Sequence, residues 1–121
     1  LLLVEDDVKD AERVIQVIHE VSPNISVNRQ TVTSETLDYL RQVTQPPQLI
    51  LFDIGTSLDG VQFIKMMRQI KGLEVVPLVI LTGLAKNIID AHAANIASGY
   101  ITKPVEVEEF RGLISSLGFV T

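Results

Sequence analysis

Short apolar runs that do not alternate with polar residues limit the folds open to this chain more than any other feature. Three of them are Leu1–Val4, Leu49–Phe52 and Leu78–Leu81. Strands of a parallel sheet that is covered on both faces have this pattern. The more polar run Ile25–Val32 fits an edge strand, and Gly99–Thr102 is a fifth candidate. The sequence therefore predicts five strands.

Segments with the spacing of amphipathic helices follow each of these runs. Thr33-Ser34 supplies cap residues for the second, and Pro104 stands where the last is expected to begin. A strand–helix pair repeated five times predicts one doubly wound α/β domain over residues 1–121, with helices on both faces of a parallel sheet. The apolar stripes are Ala11, Val14, Ile18 and Val21; Leu37, Leu40 and Val43; Val61, Ile64, Met67 and Ile70; Leu84, Ile88, Ala91 and Asn95; and Val107, Phe110, Ile114 and Leu117.

Composition excludes several classes of function. The net charge is −5, which argues against nucleic-acid binding because phosphate backbones attract clustered cationic surface. The chain contains no Cys, so disulfides, thiolate metal sites and Cys nucleophiles are excluded. No apolar run approaches the roughly 20 residues that span a bilayer. We therefore expect a soluble cytoplasmic domain that is not a membrane protein. The chain does not begin with Met, so it fits either a stand-alone protein or a piece of a longer one.

Polar and charged residues follow four of the predicted strands. Ligand sites of open parallel sheets lie beyond the carboxyl ends of the strands, so these side chains are expected to meet at one edge. Converging carboxylates repel one another unless a cation lies between them. Oxygen ligands without His or Cys favour Mg²⁺. The residues are Glu5, Asp6 and Asp7 after the first strand, Asp53 after the third, Thr82 after the fourth and Lys103 after the fifth.

This set of side chains is suited to accepting a phosphoryl group. Asp53 would be the nucleophile and would form an aspartyl-phosphate. Lys103 and the metal would neutralise the charge on the phosphoryl oxygens, and Thr82 would donate a hydrogen bond to one of them. We assign Asp7 to a different task, the N-cap of the first helix.

Four sequence stretches resemble the conserved motifs of a known family. LLLVEDD, LILFD, LVILTG and YITKP match, in order, the signatures of the receiver domain of two-component response regulators. The resemblance covers essentially the whole chain and implies a flavodoxin-like sheet with strand order 2-1-3-4-5. The opening VEDDVKDAE is also similar to stand-alone receivers associated with phytochrome-type kinases.

The resemblance implies a role for individual residues. Glu5 and Asp6 would be the acid pair, with Asp6 touching Mg²⁺ directly, and the carbonyl of Gly55 would complete the metal shell around Asp53. Tyr100 matches the aromatic position that swings inward on activation, coupled to Thr82. The Lys103-Pro104 peptide bond is expected to be cis.

The implied function is a phosphorylation-controlled switch. A sensor histidine kinase would donate the phosphoryl group to Asp53 in a Mg²⁺-dependent reaction. The domain would catalyse only this self-phosphorylation, also from small phosphodonors, and its reversal by water. The switch would reshape the face formed by the fourth predicted helix, the fifth strand and the fifth predicted helix. That face would bind a downstream target or output domain, or a second copy of the chain.

One stretch departs from the family pattern and supports an alternative. Members usually carry a Met-Pro or Leu-Pro pair shortly after the phosphoacceptor, whereas residues 53–60 read DIGTSLDG, without Pro and with one residue fewer before the Gly. The second hypothesis is therefore a protein-interaction module that no longer signals by phosphate. A third, a phosphatase of the haloacid-dehalogenase type, needs a general-acid Asp two residues after the nucleophile, where this chain has Gly55.

Overall fold

The computed structural model describes residues 1–55, 59–83 and 96–119. In these ranges the strands and helices follow one another in the predicted order. The fourth predicted helical stripe, at residues 84–95, lies outside the described residues. The elements are β1 (Leu2–Val4), α1 (Val8–Val21), β2 (Asn28–Gln30), α2 (Ser34–Gln42), β3 (Ile50–Gly55), α3 (Asp59–Met67), β4 (Leu78–Thr82), β5 (Gly99–Thr102) and α4 (Val107–Ser116), which corresponds to the fifth predicted helix.

The five strands form one sheet in which every neighbouring pair is parallel. Their order is β2-β1-β3-β4-β5, which confirms the predicted doubly wound topology. Because all strands run the same way, their carboxyl ends lie at a single edge. That edge is where ligand sites of such sheets form.

Two hydrophobic cores lie on opposite faces of the sheet. Leu2 and Val4 of β1 belong to the core under α2 and α3, whereas Leu3 belongs to the core under α1 and α4. Successive residues of a strand point to opposite faces, so a strand that is buried on both sides must be apolar throughout. This is why β1, residues 50–52 of β3 and residues 78–81 of β4 appear in the sequence as unbroken apolar runs.

Local capping and burial explain where the helices begin. Asp7 caps α1 by accepting a hydrogen bond from the backbone N–H of Asp10 at 2.9 Å, as predicted. Thr33 caps α2 in the same way, with Thr36 N–H donating at 3.2 Å. The four predicted core positions of α1 are all buried.

Two boundary predictions are wrong. β2 pairs with β1 only over Asn28–Gln30, because the rest of the predicted run Ile25–Val32 extends beyond its short partner. The last helix begins at Val107 rather than at Pro104. Lys103 N–H still donates to Thr82 O at 2.8 Å, so the chain needs the following residues to turn from the sheet onto its face. Within the described ranges, no helix has both the length and the apolarity that crossing a membrane requires.

Candidate functional site

The carboxyl ends of β3, β4 and β5 bring the predicted acceptor set together. A bulge after Asp53 shifts the β3–β4 register: Asp53 pairs with Leu81, and Gly55 pairs with Thr82. Bulges commonly re-aim side chains next to active sites. Lys103 directly follows β5, whose last residue Thr102 pairs with Thr82. Three elements far apart in sequence thus converge on one point.

The centre of the site is an ion pair between Lys103 and Asp53. Lys103 Nζ donates to Asp53 Oδ2 at 2.7 Å, and the Asp53 side chain is only 1% exposed. Burial lowers the pKa of Lys103, but the hydrogen bonds and negative charges of Asp53 and Asp10 outweigh it and raise that pKa overall. Lys103 therefore stays protonated and places a positive charge beside the buried Asp53 carboxylate.

Glu5 is a buried acid beside this pair. It is 5% exposed, and its Oε1 atom has no hydrogen-bond partner among the described residues. Burial, followed by the hydrogen bond and negative charge of Asp53, raises the pKa of Glu5 to about 8. Arg29 of β2 fixes the backbone here by donating through Nε to Glu5 O at 3.0 Å and through Nη2 to Asp6 O at 3.1 Å.

Asp6 occupies a different environment from Glu5. Its side chain is exposed, and its Oδ1 accepts a hydrogen bond from Val32 N–H at 2.8 Å. It is not one of the three acids whose carboxylate oxygens lie within 4.8 Å of one another. The structure therefore brings Glu5 to Asp53 but turns one oxygen of Asp6 toward the end of β2.

The third acid of that cluster is Asp10, which sequence reasoning missed. Carboxylate oxygens of Glu5, Asp10 and Asp53 lie within 4.8 Å of one another, and Asp10 Oδ2 is 3.3 Å from Lys103 Nζ. The sequence position of Asp10 did indicate that this residue would lie near the site. An N-cap at Asp7 places Asp10 in the first turn of α1, at the same sheet edge as the strand ends.

The remaining predicted residues lie around this centre. Tyr100 of β5 packs against the core under α2 and α3, and its hydroxyl oxygen is buried. Thr82 is fully buried at the end of β4, and Gly55 is the last residue of β3. The Lys103-Pro104 peptide bond is cis, which confirms that expectation. The unusual loop at residues 56–58 lies outside the described residues.

The donor set of this edge fits a hard divalent cation. Carboxylate and carbonyl oxygens are the ligands that Mg²⁺ prefers. A buried carboxylate oxygen without a partner is costly unless a cation or a proton compensates it. Among the described residues, Glu5 Oε1 is such an atom, and the burial of Glu5 is also the largest cause of its raised pKa. The residues present can therefore hold Mg²⁺.

A groove of about 550 Å³ opens beside Lys103. One wall is the exposed side of α1, and the other is the segment that follows β5. The groove gives access to the Lys103 end of the site from solvent. Its lining residues are Asp10, Arg13, Val14, Gln16, Val17, Lys103, Pro104 and Val105.

Comparisons with known proteins agree on one family. The model of the response regulator receiver domain matches residues 1–115. Response regulator Rre1 of Synechocystis sp. (strain ATCC 27184 / PCC 6803 / Kazusa) is 26% identical over 119 residues, which are 96% of this chain and 50% of that protein. The chain thus spans about half the length of that curated relative.

Solved structures of receiver domains have the same fold. The bacteriophytochrome response regulator RtBRR superposes with a TM-score of 0.81 at 26% identity, covering 99% of this chain and 78% of the other. The receiver domain of sensor histidine kinase PA1611 from Pseudomonas aeruginosa PAO1, described with a magnesium ion coordinated in its active-site cleft, superposes with a TM-score of 0.72 at 19% identity. It covers 95% of this chain and 93% of the other.

Proposed function

The chain belongs to the response regulator receiver domain family, and from that premise we propose that it accepts a phosphoryl group on Asp53 in a Mg²⁺-dependent reaction. The observation that carries the proposal is the 2.7 Å contact between Lys103 Nζ and the buried Asp53 carboxylate. A buried carboxylate beside an ammonium group, at the carboxyl edge of a parallel sheet, has the charge and the position that a phosphoacceptor needs.

Asp53, Lys103 and Thr82 have different roles in the proposed reaction. A carboxylate oxygen of Asp53 attacks phosphorus, so that the O–P bond forms while the N–P bond of a donor phosphohistidine breaks and its electron pair returns to the imidazole nitrogen. Lys103 keeps its proton and pairs with the phosphoryl oxygens. The hydroxyl of Thr82 donates a hydrogen bond to one of the phosphoryl oxygens. Attack by water on phosphorus later restores Asp53 and releases inorganic phosphate.

We assign Mg²⁺ to the oxygens of Glu5, Asp6, Asp53 and the carbonyl of Gly55. Bound Mg²⁺ would neutralise charge that spreads over the phosphoryl oxygens. The magnesium ion in the active-site cleft of the PA1611 receiver domain supports a cation site at this edge of the sheet. Because Asp6 Oδ1 accepts from Val32 N–H, Oδ2 is the oxygen of Asp6 that we assign to the cation.

We also propose a route for the signal. A sensor histidine kinase would approach from the groove beside Lys103, in the cytoplasm. Phosphorylation would then draw Thr82 and Lys103 toward the phosphoryl group and let Tyr100 rotate against the neighbouring core. The face that includes β5 and α4 would change shape for a downstream protein, an output domain or a second copy of the chain.

The test is phosphodonor labelling followed by intact-mass measurement. Incubation with acetyl phosphate and Mg²⁺ should add one phosphate mass, which chelation by EDTA and the Asp53→Asn variant should each abolish. Asp38→Asn is the matched control, since Asp38 is an exposed acid of α2 whose carboxylate pairs with Arg41. No mass gain together with no Mg²⁺ binding would instead favour an interaction module that works without phosphate.

A further inference from the structure

The Lys103 ammonium group has two carboxylate partners rather than one. Its Nζ atom lies 2.7 Å from Asp53 Oδ2 and 3.3 Å from Asp10 Oδ2. Asp53 belongs to β3 and Asp10 to the first turn of α1, so the two anchors come from different elements. The Asp53 side chain is 1% exposed and that of Asp10 is 33% exposed. Asp10 thus holds the ammonium from the solvent side of the buried acceptor.

Asp10 is itself held in place. Its backbone N–H donates to Asp7 Oδ1 at 2.9 Å, and the next residue, Ala11, is buried in the core beneath α1. Because the helix start is capped and packed, the backbone of Asp10 is fixed, and its short side chain can orient the long, flexible side chain of Lys103 from there. An ammonium held between two carboxylates loses less freedom on meeting a phosphoryl group.

Asp10 also differs from Glu5 in its charge environment. Its Oδ2 faces Lys103, and its Oδ1 lies 3.5 Å from Arg13 Nη1, so both oxygens already face cations of the chain. Glu5 Oε1, by contrast, is buried without a partner among the described residues. Glu5 Oε1 is therefore the carboxylate oxygen that an added cation would stabilise. Asp10 is turned toward the chain's own lysine.

We propose that Asp10 is a positioning residue that holds the Lys103 ammonium group at the mouth of the site, oriented for the phosphoryl oxygens. The inference rests on the proposed function. As the bond from Asp53 to phosphorus forms and the donor's bond to phosphorus breaks, with the electron pair leaving on the donor, Lys103 transfers its contact from Asp53 to the phosphoryl group. Its contact with Asp10 persists through the transfer.

The kinetic test is the isosteric variant Asp10→Asn. We expect phosphorylation of Asp53 by acetyl phosphate, at saturating Mg²⁺, to slow by about tenfold, because the ammonium is no longer held in the productive position. The Kd for Mg²⁺ should change by less than about threefold, since the proposal gives Asp10 no metal contact. Glu12→Gln removes the same charge from an exposed position of α1 and should change neither quantity more than about twofold.

A second measurement does not depend on phosphate uptake. In NMR spectra of protein labelled with ¹³C-lysine, the two Cε protons of a held Lys103 give separate resonances. Asp10→Asn should merge them, and Glu12→Gln should leave them apart. A general loss of structure would instead shift resonances throughout the spectrum, so a change confined to Lys103 reports the loss of its Asp10 anchor.

Two results would overturn the positioning role. One is labelling of Asp10→Asn at the wild-type rate. The other is a loss of Mg²⁺ affinity of about tenfold or more, which would make Asp10 a metal ligand instead. If the wild type takes up no phosphate, the proposed function fails. The Lys103 resonances then still decide whether Asp10 holds the ammonium group, and unchanged resonances in Asp10→Asn reject that role.

Discussion

At the carboxyl edge of the sheet, buried acidic side chains repel one another, and folding alone does not remove that repulsion. Glu5 and Asp53 are both buried, and one lysine ammonium lies close to them. Burial and the neighbouring Asp53 raise the pKa of Glu5 to about 8, so between pH 4.5 and about 8 the folded, cation-free chain keeps a proton on Glu5 that the unfolded chain releases. A cation bound at this site would compete with that proton.

The raised pKa of Glu5 predicts a pH dependence of stability in the absence of metal. The folded pKa of Glu5 lies above its ordinary value of 4.5, so the folded chain binds more protons between those limits. The free energy of unfolding should fall as the pH rises from 4.5 toward 8, by at most about 1.4 kcal/mol per pH unit, and lose nothing further above that range. Chemical denaturation across this range measures it.

Glu5→Gln isolates the contribution of Glu5, because Gln resembles the protonated acid at every pH. The variant and the wild type should be about equally stable near pH 4, and the variant should be more stable at pH 9. Parallel pH curves for the two proteins would contradict the account.

At the scale of elements, α3 lies unusually close to β3. A Cβ atom at Gly60 would lie 2.7 Å from Ile54 Cγ2 and 2.8 Å from Phe52 Cε1. Real Cβ atoms do not approach other atoms so closely, so α3 can sit against the strand that carries Asp53 only because residue 60 has no side chain. This glycine therefore helps to position the end of β3.

Gly60→Ala should force α3 and β3 apart. We expect a loss of about 1–3 kcal/mol in the free energy of unfolding, as overpacking of a dense core costs. Urea denaturation at constant pH measures the difference.

The matched control for that substitution is Gly112→Ala in α4. A Cβ there meets nothing within 4 Å, so the change should stabilise the chain by about 0.5–1 kcal/mol through helix propensity. Equal effects of the two substitutions would show that the close approach of α3 to β3 has no energetic consequence.

The sequence predicts the strands whose two faces are buried, but it misses the element boundaries that depend on neighbouring elements. The apolar runs predict β1, β3 and β4 because both faces of each strand are covered. β2 is shorter than predicted because it can pair only along the three residues of β1, and the residues of β2 themselves do not indicate how long that partner is. The start of α4 is misplaced for the same reason: the hydrogen bond from Lys103 to Thr82 belongs to the sheet.

At the scale of the whole molecule, the acidic edge links cation binding to folding. A cation that binds only the folded chain stabilises it by mass action, by about 2.7 kcal/mol at a hundredfold excess over its Kd. Mg²⁺ should therefore raise the Tm relative to EDTA in the wild type and raise it less in Asp53→Asn. Thermal unfolding followed by circular dichroism tests this. Equal Tm values for the wild type with Mg²⁺ and with EDTA would contradict a cation site at this edge.

The candidate site was predictable from the sequence to the extent that topology determines it. Parallel strands bring Asp53, Thr82 and Lys103 to one edge, and the contact between Lys103 and Asp53 follows. The second partner of Lys103, Asp10, was not predictable in this way. Its closeness depends on how α1 packs on the sheet, which neither strand order nor apolar spacing specifies.

The central claim is tested most directly by locating the phosphoryl group. After incubation with acetyl phosphate and Mg²⁺, borohydride reduction converts an aspartyl-phosphate to homoserine, and peptide mass spectrometry identifies the converted residue. The account predicts homoserine at position 53 and at no other acid, with none formed when EDTA replaces Mg²⁺. Conversion at Glu5, Asp6 or Asp10, or phosphate uptake without any conversion at position 53, would contradict it.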